Sequence, residues 1–207
     1  MKKNKGSMKN RYIGSILIII IALSFTLFVS CDGYESDVDV LVSFLDEREG
    51  DSGMRKNIDS FSIETVDADM TYVKGVGMYG RLDDGTEGYL SKEEGYCYAY
   101  VKSESGYYVK SAIDEEEYIE RERALIDMLE TVVSEIKRDN VEFDSKMKAF
   151  KIKDTSATVF GKDSRAIIKM RDNIVTVTIF FYADGKENKY VLTINGEKIK
   201  FPDYVSI

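Results

Sequence analysis

The chain has no histidine and only two cysteines, Cys31 and Cys97, so any chemistry must come from carboxylates, lysines, tyrosines or a thiol. That absence removes the Ser-His-Asp triad, the Cys-His pair, histidine-ligated zinc and the facial iron triad, each of which needs an imidazole. Glu115, Glu116, Glu117, Glu120 and Glu122 offer paired carboxylates. An acid run at a helix start normally complements the helix dipole, however, and acid-base work needs a pocket to perturb the pair. Asp83 to Glu94 resembles an EF-hand loop in part, with oxygens at Asp83, Glu87 and Glu94 and a glycine at Gly88. Gly85 stands where a further ligand is due, so a solvated acidic hairpin loop is expected there rather than a calcium site.

Gly75-Val76-Gly77-Met78-Tyr79-Gly80 matches G-x-G-x-x-G. The dinucleotide fingerprint needs a helix opening inside the motif, whereas Arg81-Leu82-Asp83-Asp84-Gly85 leads into a turn. These glycines are expected to mark a bend or a close backbone approach in a strand. The tyrosines differ in kind: Tyr89, Tyr96, Tyr98, Tyr100, Tyr107 and Tyr108 are close in sequence, and Tyr96, Tyr98 and Tyr100 share one strand face. That pattern is either cross-strand aromatic packing or a binding surface, since tyrosine combines an apolar ring with a polar tip. No catalytic residue, metal or cofactor is assigned, and a non-enzyme is expected.

Charge is divided unevenly along the 207 residues. Residues 1–30 carry five basic side chains and no acid, which leaves 24 bases against 37 acids, a net −13, from Cys31 onward. No basic face is visible for phosphate, so no nucleic-acid partner is expected. The basic start runs into an apolar stretch, Ile13–Val29, whose 17 residues suit a secretory segment or a short membrane anchor. Leu27-Phe28-Val29-Ser30-Cys31 then resembles the lipobox of bacterial lipoproteins, with Phe28 where leucine is commonest.

The resemblance implies a signal peptide over 1–30, diacylglycerol on the Cys31 thiol, acyl chains such as palmitate, and a tether over 31–35. Each buried methylene of those chains contributes about 0.8 kcal/mol of membrane affinity. The expected location is the cell membrane or outer membrane, lipid-anchored, with the domain outside the cytoplasm. An uncleaved signal anchor is the alternative. Lipidation of Cys31 would leave Cys97 unpaired, and its alternation with Ala99 and Val101 predicts a small buried apolar residue.

Residues 36–207 read as one α+β domain. Ser36 with Asp39, followed by Val38, Leu41, Val42, Phe44 and Leu45 at helical spacing, predicts a short helix ending before Gly50. Period-two runs over 60–66, 70–80, 87–93, 95–102 and 106–112 predict sequential antiparallel strands. Asp114 with Glu117 opens a long amphipathic helix expected to reach Lys137 and Arg138, with Tyr118, Leu125, Leu129, Val132 and Ile136 on one face. Strand patterns resume near Lys148. Asp172-Asn173, Asp184-Gly185 and Asn195-Gly196 predict hairpin turns between runs 165–171, 174–182, 189–194 and 197–201. Val175, Val177, Ile179 and Phe181 form one wholly apolar strand face, to be buried under a helix or around a ligand.

The expected fold is therefore an antiparallel sheet, open or half-barrel, packed by one long and one short helix. This order of elements, with the lipobox, resembles the LolA-like and LppX-like half-barrels of bacterial lipid and lipoprotein carriers. Gly88-Tyr89-Leu90 to Tyr108-Val109-Lys110 resembles their tyrosine-rich hairpins. The resemblance implies a hydrophobic ligand on the face of strand 174–182, held by residues such as Val177, Ile179 and Phe181; on the binding-surface reading of the tyrosines, Tyr96, Tyr98 and Tyr100 are further candidate ligand contacts. The alternative is a surface module that binds envelope or extracellular proteins and has no ligand cavity. The two differ in whether an apolar cavity exists.

Overall fold

The computed structural model describes residues 35–48, 55–183 and 185–206. The expected signal peptide over 1–30, Cys31 and nearly all of the expected tether lie outside the described residues. Helix α1 (Val38–Asp46) is capped by Asp37, whose carboxylate accepts from the Asp39 amide at 2.8 Å. Six strands follow: β1 (Ser60–Glu64), β2 (Ala68–Val73), β3 (Gly77–Leu82), β4 (Glu87–Glu93), β5 (Tyr96–Lys102) and β6 (Tyr108–Ile113). Helix α2 (Glu115–Val133) leads to β7 (Val141–Asp144), β8 (Ala149–Ile152), β9 (Arg165–Arg171), β10 (Ile174–Ala183), β11 (Lys186–Ile194) and β12 (Tyr204–Ser206).

All twelve strands join one open sheet in the order β12-β6-β5-β4-β3-β2-β1-β11-β10-β9-β8-β7. Its described pairings are antiparallel except β12 with β6. The architecture is α+β and dominated by strands.

Directly opposed residues share a face, so the register defines rows across the sheet. One row begins Phe143, Phe150, Ile168, Val177, Leu192, Ile63. It continues Met70, Gly80, Gly88, Val101, Val109, Val205. The first half is packed in the core with Leu41 and Leu45 of α1 and Leu125, Leu129, Val132 and Val133 of α2. Both helices therefore lie on this face, and their apolar stripes are buried as their spacing requires.

Arg55 ties the helices to the start of the sheet. Its side chain is buried, and it donates through Nε to Glu130 Oε1 at 2.7 Å and through Nη2 to Oε2 at 2.8 Å. It also donates to the Leu45 carbonyl at the end of α1. Burial works against the Glu130 charge, but the Arg55 hydrogen bonds prevail and hold its pKa below the usual carboxylate range.

Several elements differ from the sequence expectation. The run 70–80 is two strands, because Gly75 takes φ +70° in a turn over 74–76. Helix α2 stops at Val133, short of Lys137 and Arg138. Its final carbonyls are met by Ser134 N donating to Glu130 O and by the shortened turns Glu135 N to Val132 O and Ile136 N to Val133 O, while Asn140 Nδ2 donates to Glu135 O just beyond the helix. Strand β7 lies before the point where strand patterns were expected to resume.

The Asn195-Gly196 hairpin and the strand 197–201 do not form. Asn195 accepts instead through Oδ1 from the Asp59 amide at 2.8 Å, and its own amide donates to Ser60 O at 2.8 Å. These bonds direct the chain out of the sheet. Residues 195–203 cross as a strap without regular structure before β12 joins the far edge.

Candidate functional site

The face opposite the helices carries the tyrosines. Tyr100 pairs with Tyr89, and Tyr89 with Tyr79, so three rings line one row over β5, β4 and β3. Tyr79 and Tyr89 stack with centroids 4.7 Å apart, and Tyr108 meets Tyr89 edge-on at 5.6 Å. The strap closes over them: the Phe201 ring lies 5.3 Å from Tyr100 and 5.9 Å from Tyr89, and Tyr204 stands edge-on to Tyr100 at 5.3 Å. The strap's approach also explains Gly77. A Cβ there would stand 2.1 Å from the Leu90 carbonyl oxygen and 3.1 Å from the Phe201 ring, so only glycine fits.

Charges are woven into this cluster. Lys110 Nζ lies 2.7 Å from Glu93 Oε2, and it sits 4.0 Å over the Tyr98 ring and 4.9 Å over Tyr204. Cation–π contact and ion pairing thus act on one ammonium whose side chain is only 10% exposed. Glu93 also accepts from Tyr100 Oη at 2.7 Å and Ser91 Oγ at 2.8 Å. The Lys110 hydrogen bond, followed by those from Tyr100 and Ser91, holds the Glu93 pKa down to about 2. Glu87 accepts from Tyr108 Oη and from Lys102 Nζ at 2.9 Å, which lowers its pKa. Burial first, and the Glu87 hydrogen bond second, push Tyr108 above its ordinary value.

These pairings leave the acidic loop without free convergent oxygens. Glu87 and Glu93 lie in strand β4 and are spent on lysines and tyrosines, and no cluster of three potential metal ligands occurs among the described residues. Glu115 pairs with Lys92 at 2.7 Å and Glu117 with Arg121 at 2.8 Å on the solvated helix start, while Glu122 accepts from Tyr72 Oη at 2.9 Å.

The residues singled out from sequence do not converge. Tyr96 is 68% exposed, Tyr98 is half-buried under Lys110, and Tyr100 is 1% exposed beneath the strap. Val177 and Ile179 are fully inside the core, and Phe181 packs against it partly buried. They occupy the helix-side face of β10, whereas the tyrosines occupy the opposite face of β5, with five strands between. A strand's two faces look away from each other, so one ligand cannot touch both sets. Cys97 is buried on the helix side, in one core with Tyr118 of α2.

Lys110, Glu93, Phe201 and Tyr204 were not singled out by the sequence reading. Phe201 had no local signal, because its partners lie about a hundred residues earlier in the chain. Two clefts on the described surface are lined mainly by polar side chains. One, of about 390 Å³, is bounded by Lys56, Asp59, Asp172 and Asn195 among others, and the other, of about 590 Å³, lies beside Asp37, Asp39 and Arg138. Among the described residues no helix is long and apolar enough to cross a membrane. No protein-family model, curated protein or solved structure matches the chain.

Proposed function

We propose that this chain is a bacterial lipoprotein anchored through Cys31, whose exported domain is a non-catalytic interaction module for an envelope or extracellular protein. The anchor rests on the basic start, the apolar run and the Leu27–Cys31 motif. The module reading rests above all on one observation: the apolar face that a carried lipid would occupy is filled by the chain's own side chains. Val175, Val177, Leu192 and Ile194 are fully buried in the core that Leu129 and Val133 of α2 share. The protein has an open, mostly antiparallel sheet with two helices on one face, and the half-barrel resemblance implies a ligand held between them. A carrier of that kind, however, needs an apolar cavity of several hundred Å³ between helix and sheet.

Exposed apolar and aromatic side chains such as Tyr96, Val101, Tyr107 and Val205 give a module material for contact. Native mass spectrometry of the full chain, extracted from membranes in mild detergent, tests both parts. The expected species begins at an acylated Cys31 and retains no further lipid. An intact Met1 would overturn the anchor, and a stoichiometric non-covalent lipid would overturn the module in favour of a carrier.

A further inference from the structure

The interaction module has a specific docking surface, which rests on the reading above: we propose that the bare part of the helix-side face over β3, β4, β5, β6 and β12 docks an apolar protein segment flanked by lysine or arginine. Helix α2 covers β5 near Cys97, which is buried in one core with Tyr118 of α2. Val101 stands two same-face steps further along β5, about 13 Å away, beyond that cover. There the row Gly80, Gly88, Val101, Val109, Val205 emerges from the core. Val101 is 57% exposed, and Leu82 and Val205 are each 52% exposed.

Gly80 and Gly88 are the sharper observation. They are directly opposed in the middle of β3 and β4. Neither has a left-handed backbone, and a Cβ at Gly80 would meet nothing within 4 Å, while one at Gly88 would meet only Tyr100 O at 3.4 Å. Gly77 is forced to be glycine by its surroundings, but this pair is not. Glycine weakens a strand interior unless another group must approach the backbone closely. The pair instead leaves a dimple walled by Met70, Leu82 and Val101, sized for an apolar side chain from outside the domain.

The rim says what flanks that side chain. The three turns at this end of the sheet, residues 65–67, 83–86 and 103–107, hold Asp67, Asp83, Asp84 and Glu104 and no lysine or arginine. The nearer end is bounded by the start of α2, where Lys92 on the same face of β4 pairs with Glu115 at 2.7 Å and Ile119 is exposed. An apolar floor beside an acidic rim of Asp67, Asp83, Asp84 and Glu104 selects a cationic, apolar segment. It disfavours a second copy, which would present the same acids, and it disfavours an anionic bilayer.

The test uses the full chain in phosphatidylcholine nanodiscs, with a photo-crosslinking benzoylphenylalanine replacing Val101 or, as control, Ile174 on the opposite face. The probe is a short peptide with a Leu-Phe-Leu core flanked by paired lysines, beside a glutamate-flanked control. Labelling is expected at Val101 and not at Ile174, and it should fall at least roughly tenfold with glutamate flanks. It should fall as far when Gly80→Leu fills the dimple. If Gly80→Leu perturbs folding, Val205→Arg at an exposed strand position serves instead by adding a positive charge that repels the peptide's lysines.

Equal labelling at Ile174, equal labelling by the glutamate peptide, or labelling that survives both substitutions would overturn the proposal. So would crosslinks from Val101 to a second copy or to phospholipid. These failures leave the interaction module standing, whereas a lipid retained in the native mass spectrum removes the module whatever the peptide does.

Discussion

Phe201→Ala tests whether the strap is held by the tyrosine cluster. The ring is half-buried and makes two aromatic contacts, to Tyr100 at 5.3 Å and to Tyr89 at 5.9 Å. Full burial of a phenylalanine is worth about 1.5–3 kcal/mol, so half-burial contributes about 1 kcal/mol or slightly more. Each ring pair adds about 0.5–1.5 kcal/mol beyond area. The loss is therefore about 2–4 kcal/mol, and it should be local. The strap is held independently at one end by Asn195 on β1 and at the other only by the three-residue β12. Hydrogen exchange reads this directly. Protection of the β12–β6 pairing should fall by about 30-fold to nearly a thousandfold, given tenfold per 1.4 kcal/mol, while β10–β11 amides keep theirs. Unchanged protection at residues 204–206 would refute the reasoning. So would an equal loss across every strand, which would mean that Phe201 stabilises the sheet as a whole and not the strap.

Three further outcomes follow from the same contacts. Arg55→Ala leaves the partly buried Glu130 without its guanidinium and should cost about 3 kcal/mol, the lower end for a broken buried pair, read as a shift in the urea midpoint at constant slope. Gly77→Ala should abolish stable folding, because its Cβ would stand 2.1 Å from Leu90 O, whereas Gly80→Ala should leave thermal stability unchanged or raise it, so equal effects of the two would refute the packing argument. Glu93 has its folded pKa lowered to about 2 from its ordinary 4.5, so its stabilising effect is complete above pH 4.5 and is lost as pH falls from there toward 2. The near-ultraviolet circular dichroism of the tyrosines should decay over that window in the native chain, and Glu93→Gln should lack that component. A decay identical in both would show that Glu93 does not hold the cluster.

Most of the fold was legible because its signals are local. Asp172-Asn173, with both residues at positive φ, makes the predicted turn between β9 and β10, and Glu94-Gly95 does the same between β4 and β5. The apolar alternation of β10 was equally plain, and its inward residues are buried. The failures came where a tertiary contact outweighed a local signal. Asn195-Gly196 is a strong hairpin dipeptide, yet the Asn195 side chain is taken by residues 57–60, which lie far away in sequence. The short strand 197–201 therefore gave way to a strap whose Glu197 meets Ser62 and Ser60. Ser60 and Ser62, alternating with Phe61 and Ile63, were the only available hint that β1 is covered on both faces. The tyrosines were legible as a group, but not which of them would be buried, since that depends on a strap from the other end of the chain.

Coverage explains why the two faces of β3–β6 look so different. Helix α2, with 19 residues, is about 28 Å long, and α1, with nine, is about 13 Å. Twelve strands spaced about 4.8 Å apart make a sheet about 53 Å wide, more than these helices can roof. On the second face the deficit is met from within the chain, and there the sequence supplies large rings for the strap to cover. On the helix side nothing in the described chain meets it, and the sequence changes character accordingly. Beyond Met70 the row passes to Gly80, Gly88 and valines, with Ala99 and Ser111 beside it. Small side chains keep the apolar area exposed to water low, which limits both the loss of stability and the tendency to aggregate. The same choice leaves a depression where larger residues would have filled the surface. A face trimmed only for solubility would be expected to carry charges there, as edge and surface strands commonly do. The charges stand instead at the margins, as acids in turns 65–67, 83–86 and 103–107 and as the Lys92–Glu115 pair at the start of α2, beside a floor kept apolar.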